Sequence, residues 1–262
     1  FSPDGKQVVT ASHDWTAKIW DAVSGECLLT LKGHKGIVRS AAFSPDGKQV
    51  ATASHDRTAK LWDTASGDRL HTLKGHGDMV WSAEFSPDGR QVVTASHDWT
   101  AKIWDAGAGE CLHTLKGHQG LVVSAAFSPD GQQVVTASHD RIAKLWDAAS
   151  GVCSHALKGH LGIVVSAEFS PDGGQVLTVS HDKTASLWDA ASGFRLRVLK
   201  HRDHVSSAAF SPDSQKVVTA SHDGTAKLWG AASGLCLHAL KHRDCVVSAA
   251  FSPDGQQAVS AS

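Results

Sequence analysis

The chain has 262 residues, 41% of them hydrophobic, with a formal net charge of −1 and a pI near 7.1. That length allows one large repeat domain or two small ones. The near-zero charge argues against a global field for nucleic acid or acidic membranes. No apolar run approaches the roughly 18–20 residues that a spanning helix needs, and no signal-peptide pattern is present. The only methionine is Met79 and the sequence opens inside a repeat, so we read it as part of a longer protein.

A unit of 42 residues is written repeatedly: Phe-Ser-Pro-Asp begins at Phe1, Phe43, Phe85, Phe127 and Phe169, then at Phe210 and Phe251 after the spacing shrinks by one. A fixed period of this size marks one supersecondary unit copied along an array. The units lie near 1–42, 43–84, 85–126, 127–168, 169–209 and 210–250, with a partial copy at 251–262. We therefore expect one repeat domain over 1–262.

In chain order within the second unit, Ile37–Phe43 is a short apolar run that reads as a buried strand. Ser44-Pro-Asp-Gly47 follows as a turn, with proline presetting φ at the second position and glycine taking the left-handed conformation. The residues 49–54 form a second strand, His55-Asp56-Arg57-Thr58 a tight hairpin and the residues 59–63 a third strand. A turn at Ala65-Ser-Gly67 leads to a fourth strand over 69–73, and Lys74-Gly-His76 enters the next unit. Four short antiparallel strands per repeat, with no helical period, describe a propeller blade.

Gly-His, Phe-Ser-Pro-Asp-Gly, Ser-x-Asp and Trp-Asp recur at fixed offsets throughout the chain. In this the sequence resembles the WD-repeat (WD40) family. The resemblance implies an all-β propeller in which His, Thr, Asp and Trp of each blade form a hydrogen-bonded chain. Carried onto this sequence, the sets are His34, Thr52, Asp56 and Trp62; His76, Thr94, Asp98 and Trp104; and His118, Thr136, Asp140 and Trp146. His160, Thr178, Asp182 and Trp188 follow, and His201, Thr219, Asp223 and Trp229 complete the series. We count about 25 strands, against roughly 24 for six blades and 28 for seven. A seven-bladed ring seen incomplete is the favoured architecture, and a six-bladed ring is the alternative.

A residue found in every copy serves the unit; a residue that varies between copies is where function can sit. The Thr–His–Asp set recurs in every blade, unlike a catalytic triad, which is unique in geometry and role. We therefore expect no enzyme, no cofactor and no metal. Glu84 and Glu168 replace an alanine of the other copies and read as polar lining of a central channel. His71, His113, His155 and His238 read as solvated residues of outer strands, and the five cysteines as free thiols of a cytoplasmic protein.

Six histidines, His13, His55, His97, His139, His181 and His222, precede the hairpin aspartate. The family resemblance places them in solvent on the top face. They are either harmless copies of one residue, a partner-contact ring, or a pH-sensitive surface. The next hairpin position holds Trp15, Arg57, Trp99, Arg141, Lys183 and Gly224. An early inner-strand position holds Arg39, Trp81, Val123, Val165, Ser206 and Val247. Trp and Arg are enriched at binding hot spots. Trp15, Arg39, Arg57, Trp81, Trp99 and Arg141 are thus read as one top-face patch.

The leading function is a non-catalytic scaffold for other proteins or peptides. The alternatives are a ligand-sensing domain like the repeat arrays of fungal and bacterial NACHT–WD-repeat proteins, whose repeat style is similar, and binding of single-stranded nucleic acid or a phosphoprotein through the Trp/Arg patch.

Overall fold

The computed structural model describes residues 1–262. It holds 25 strands and no helix, arranged as seven antiparallel sheets, most of them four-stranded. The first sheet has three strands and the last has two. Gln7–Ala11 and Ala258–Ala261 belong to different sheets, so the chain contributes to seven blades and not six. No helix is long and apolar enough to cross a membrane.

The chain divides into two compact units. One comprises Phe1–Phe127 with Asp147–Val152, the other Ser128–Trp146 with Cys153–Ser262. In the first, the sheet of Val38–Phe43, Gln49–Ser54, Thr58–Asp63 and Arg69–Lys74 matches the sequence-derived strands to within one residue at each end. The Ser44-Pro-Asp-Gly turn forms as expected. Gly47 sits at φ 71°, the Ser44 hydroxyl donates to Asp46 Oδ1 at 2.7 Å, and the Gln49 N–H returns to Ser44 Oγ at 2.9 Å. Ser214 takes the glycine's place in one copy at φ 60°, and its Oγ accepts the Asp172 N–H at 3.2 Å from the preceding repeat.

Successive sheets of each unit pack face to face. Ala17, Ile19 and Leu31 of the first sheet bury against Val38, Val50 and Trp62 of the second. Leu61 and Leu73 continue the pattern against Val80, Phe85 and Trp104. In the other unit, Leu177, Leu187 and Leu199 meet Val205, Val217 and Trp229. The second strand of each four-stranded sheet is covered on both faces, as at Val50–Ser54, which are buried without a break. That is why these strands read as continuous Val, Ala and Thr runs instead of alternating ones.

Two bulges recur in the sheets. On the inner strands the register slips between Val38 and Ser40, Val80 and Ser82, Val164 and Ser166, and Val205 and Ser207. Arg39, Trp81, Val165 and Ser206 are the extra residues. On the outer strands, the partners of Trp20, Trp62 and Trp188 are Cys27, Arg69 and Arg195, so Leu28, Leu70 and Leu196 are passed over. A bulge leaves its extra residue unpaired and re-aims the side chain, which accounts for these leucines standing 39–46% exposed.

Leu61 is 0% exposed between two sheets. Leu61→Ala is expected to lower unfolding stability by about 2–5 kcal/mol through lost burial and the cavity left behind, read as a drop in the urea midpoint at constant slope.

Candidate functional site

The repeats that build complete sheets carry a buried polar relay. Trp62 Nε1–H donates to Thr52 Oγ1 at 2.8 Å; Thr52 Oγ1 lies 2.8 Å from His34 Nε2; His34 Nδ1 lies 2.8 Å from Asp56 Oδ2. A carboxylate only accepts, so Nδ1 carries the imidazole proton, and Nε2 accepts from the threonine hydroxyl. The direction of the chain is therefore Trp to Thr to His to Asp. His76 repeats it at 2.8 Å to Asp98 and 2.7 Å to Thr94, and His160 at 2.8 Å to both Asp182 and Thr178. His201 reaches Thr219 at 2.7 Å and Asp223 at 3.1 Å. Trp104, Trp188 and Trp229 each reach their threonine at 2.8 Å, and Trp146 reaches Thr136 at 2.9 Å. His118 is buried, and Asp140 Oδ1 accepts the Ile142 N–H at 3.0 Å.

The aspartate ties the loops together. Asp56 also accepts the Lys35 N–H, the Thr58 N–H and the Thr58 hydroxyl. Burial alone would raise its pKa, but the donors His34, Thr58 and Lys35 outweigh that and hold it far below the carboxylate range. Burial pushes the His34 pKa down against the pull of Asp56, so the imidazole stays neutral. Gly33 explains the Gly-His pairing. At φ 152° a Cβ there would lie 3.3 Å from the Trp62 ring. The relay has no opening for a substrate, since Thr52, Thr94, Thr178 and Thr219 are 0% exposed.

The copy-variable residues lie at the hairpins beside this relay. Trp15, Arg57, Trp99, Arg141 and Lys183 all adopt left-handed backbone, with φ from 68° to 73°, where the sixth copy has Gly224 at 76°. Non-glycine residues pay for that conformation, on the order of 1–3 kcal/mol each. All five are exposed, Trp15 and Trp99 to 54% and 53%. Trp15 and Trp99 therefore do not fold back fully over their own hairpins. Arg39, also exposed, sits with its guanidinium 4.3 Å from the Trp81 ring centroid. Trp81 is half-buried, near-parallel to His97 at 4.7 Å and to His55 at 6.1 Å.

That stacking corrects one expectation. The hairpin histidines do not all stand in solvent. His13 and His222 are exposed, but His55, His97, His139 and His181 are half-buried. The indole of Trp81, re-aimed by its bulge, covers two of them. His181 is stacked at 4.7 Å and 5° on His204, a residue that the sequence reading passed over. The signal was present: His204 stands where Ile37, Met79, Leu121 and Ile163 stand in other copies. Likewise His71, His113 and His155 are half-buried, not solvated, because each lies against a glycine of the following repeat; His71 would be 2.8 Å from a Cβ on Gly109.

Glu84 is exposed on its inner strand, while Glu168 is half-buried and accepts the Phe210 N–H at 3.1 Å from the next sheet. Burial lifts the Glu168 carboxyl to about 7, with that N–H opposing. The cysteines are free thiols. No group of three or more His, Cys, Asp or Glu side chains is arranged to hold a metal ion.

The family model described as "WD domain, G-beta repeat" matches residues 1–21, 25–63, 67–105, 109–147, 151–189, 193–230 and 234–262. Among curated proteins the chain is similar to the zebrafish (Danio rerio) "Dynein assembly factor with WD repeat domains 1", 49% identical over 43 residues, which is 16% of this chain and 10% of that protein. It is 54% identical over 39 residues to "Nuclear distribution protein PAC1" of Mycosarcoma maydis, 15% of this chain and 9% of that one. "Serine-threonine kinase receptor-associated protein" of Gallus gallus is 51% identical over 43 residues, 16% and 12% of the two chains. Each match thus spans one repeat and about a tenth of the relative's length.

Thr52→Val keeps the shape but leaves the Trp62 Nε1–H and His34 Nε2 without their partner. It is expected to cost about 2–5 kcal/mol, since each buried orphan costs about 1–3, measured by urea unfolding. The relay also sets an acid limit. Burial, with the Lys227 charge adding and Asp223 opposing, takes the His201 pKa from 6.5 down to about 4. Burial would raise Asp223, but Thr225, the Arg202 N–H and His201 bring it to about 2. Between pH 6.5 and 4 the unfolded chain takes up the His201 proton that the folded one refuses, so stability falls with falling pH; the Asp223 contribution, full above 3.8, is lost from there toward 2. Urea midpoints at pH 7.5, 5.5 and 4 should decrease in that order.

Proposed function

Because the chain belongs to the WD-repeat family, with repeat matches running from residue 1 to residue 262, we propose that it is a non-catalytic scaffold that binds other proteins through its hairpin tips. The observation that carries this is the backbone at Trp15, Arg57 and Trp99, three successive tips of one unit. Each holds a large exposed side chain in a conformation that favours glycine. The turn itself does not need them, since Gly224 makes the same turn. Strain retained without a packing benefit points to a use outside the fold. Trp and Arg fit that use, being the side chains that carry binding energy at interfaces. Arg39 and Trp81, lifted from their strands by bulges, extend the surface between the second and third sheets. Rigid sheets with variable loops engage partners with little rearrangement. The three relatives are named for assembly, nuclear distribution and receptor association, which agrees with a scaffold.

The test separates binding from folding. The combined variant Trp15→Gly, Arg57→Gly, Trp99→Gly relieves three left-handed residues. Its unfolding free energy is expected to hold or rise, by up to about 1 kcal/mol per site. In affinity capture from lysate it should lose the proteins that the parent retains. Equal capture by a folded variant would overturn the reading. Capture that collapses between 50 and 200 mM salt would instead indicate nucleic acid.

A further inference from the structure

The second unit has a cluster of imidazoles that no other part of the chain reproduces. His204 and His181 lie parallel at 4.7 Å and 5°, and His222 lies 6.0 Å beyond His204 at 35°. The hairpins of two consecutive sheets supply His181 and His222, and the loop between those sheets supplies His204. The backbone ties that loop to both hairpins, with the His222 N–H donating to His204 O at 2.9 Å and the His201 N–H to Lys183 O at 2.9 Å. In other copies the position of His204 is Ile37, Met79, Leu121, Ile163 or Cys245. One copy-specific change thus joins two separate hairpin histidines into a cluster, stacked on one side and tilted on the other.

We propose that His181, His204 and His222 form a proton-dependent docking site for an acidic peptide segment.

The charges around the stack favour an anion. Asp203 is the carboxylate that faces it, with Oδ1 3.9 Å from His204 Nε2. The carboxylates next to His181 and His222 are turned away: Asp182 accepts from His160 and the Leu161 N–H, and Asp223 from His201 and the Arg202 N–H. Lys183, at the first hairpin, and Arg202, in the loop that carries His204, are exposed. Cys245 contributes its thiol 3.6 Å from the His222 carbonyl, which adds no charge. His139 is the remaining titratable neighbour. It and His181 are both held neutral, His139 by burial, and His181 by burial together with the charges that His204, His222 and His139 would carry.

Protons therefore oppose one another within the stack. A peptide carboxylate against the rings removes that opposition, so binding and proton uptake reinforce each other. Acidification from pH 7.5 to 5.5 then strengthens docking. The metal alternative is set aside because parallel stacked rings do not converge their nitrogens on one point, in keeping with the absence of any three-ligand group. The site lies in the second unit and does not depend on Trp15, Arg57 or Trp99, so either reading can fail while the other stands.

The experiment is fluorescence anisotropy of a labelled octa-aspartate peptide with the 262-residue chain at pH 7.5 and 5.5 and constant ionic strength. The parent is expected to bind at least tenfold tighter at pH 5.5. His204→Ile installs the residue that other copies carry and should cut the change to less than threefold. His204→Gln, neutral and polar, should do the same and controls for local packing. His13→Ala removes an exposed imidazole of the first unit and should leave the tenfold change intact. A parent without pH dependence, a His204→Ile or His204→Gln protein that keeps the full tenfold, or an equal loss in His13→Ala would each overturn the proposal. The last would show a response to overall charge alone.

Discussion

The structure depends on burying polar atoms in chains that are fully satisfied. Four of the complete sheets place Trp, Thr, His and Asp from different strands and loops on one line, held by hydrogen bonds from one group to the next. Low local dielectric strengthens such a chain when complete and penalises it heavily when broken. The arrangement fixes three things together. It pins the entry loop through the Lys35 N–H, it shapes the hairpin through Thr58, and it holds the tryptophan that packs on the neighbouring sheet. The hairpin tips are rigid because the relay beneath them is.

That rigidity lets the chain tolerate strain at the surface. Five hairpins hold a large residue in left-handed backbone, and four inner strands hold an extra residue at a bulge. Both devices cost stability, and the hairpin residues and Arg39 expose their side chains. Residues that vary between copies occur at both devices, while the relay beneath is nearly constant. Repetition supplies the scaffold, and departures from repetition are concentrated where a partner could reach them.

The histidines show how one residue type divides by environment. Those of the relay are buried, kept neutral and spent on structure, as at His34 and His201. Those at the hairpins are half-buried or exposed, and their neighbours decide their chemistry. Trp81 and Arg39 turn His55 and His97 into part of an aromatic–cationic stack. His204 joins His181 and His222 into one cluster of imidazoles.

The sequence by itself determined the period, the four-stranded unit and the Ser-Pro-Asp-Gly turn, which are local or recur at fixed offsets and so are exposed by the 42-residue periodicity. The members of the relay are implied by the resemblance to the WD-repeat family. The sequence also marked Trp15, Arg57 and Trp99 as variable positions. Only the tertiary structure decided the bulges at Arg39 and Trp81, because a one-residue slip between paired strands leaves no mark in either strand alone. It alone revealed that Trp81 covers His55 and His97, that His71 lies against Gly109, and that His204 joins His181 to His222. Each of these contacts joins residues from different sheets or loops, and one repeat read in isolation does not contain the partner.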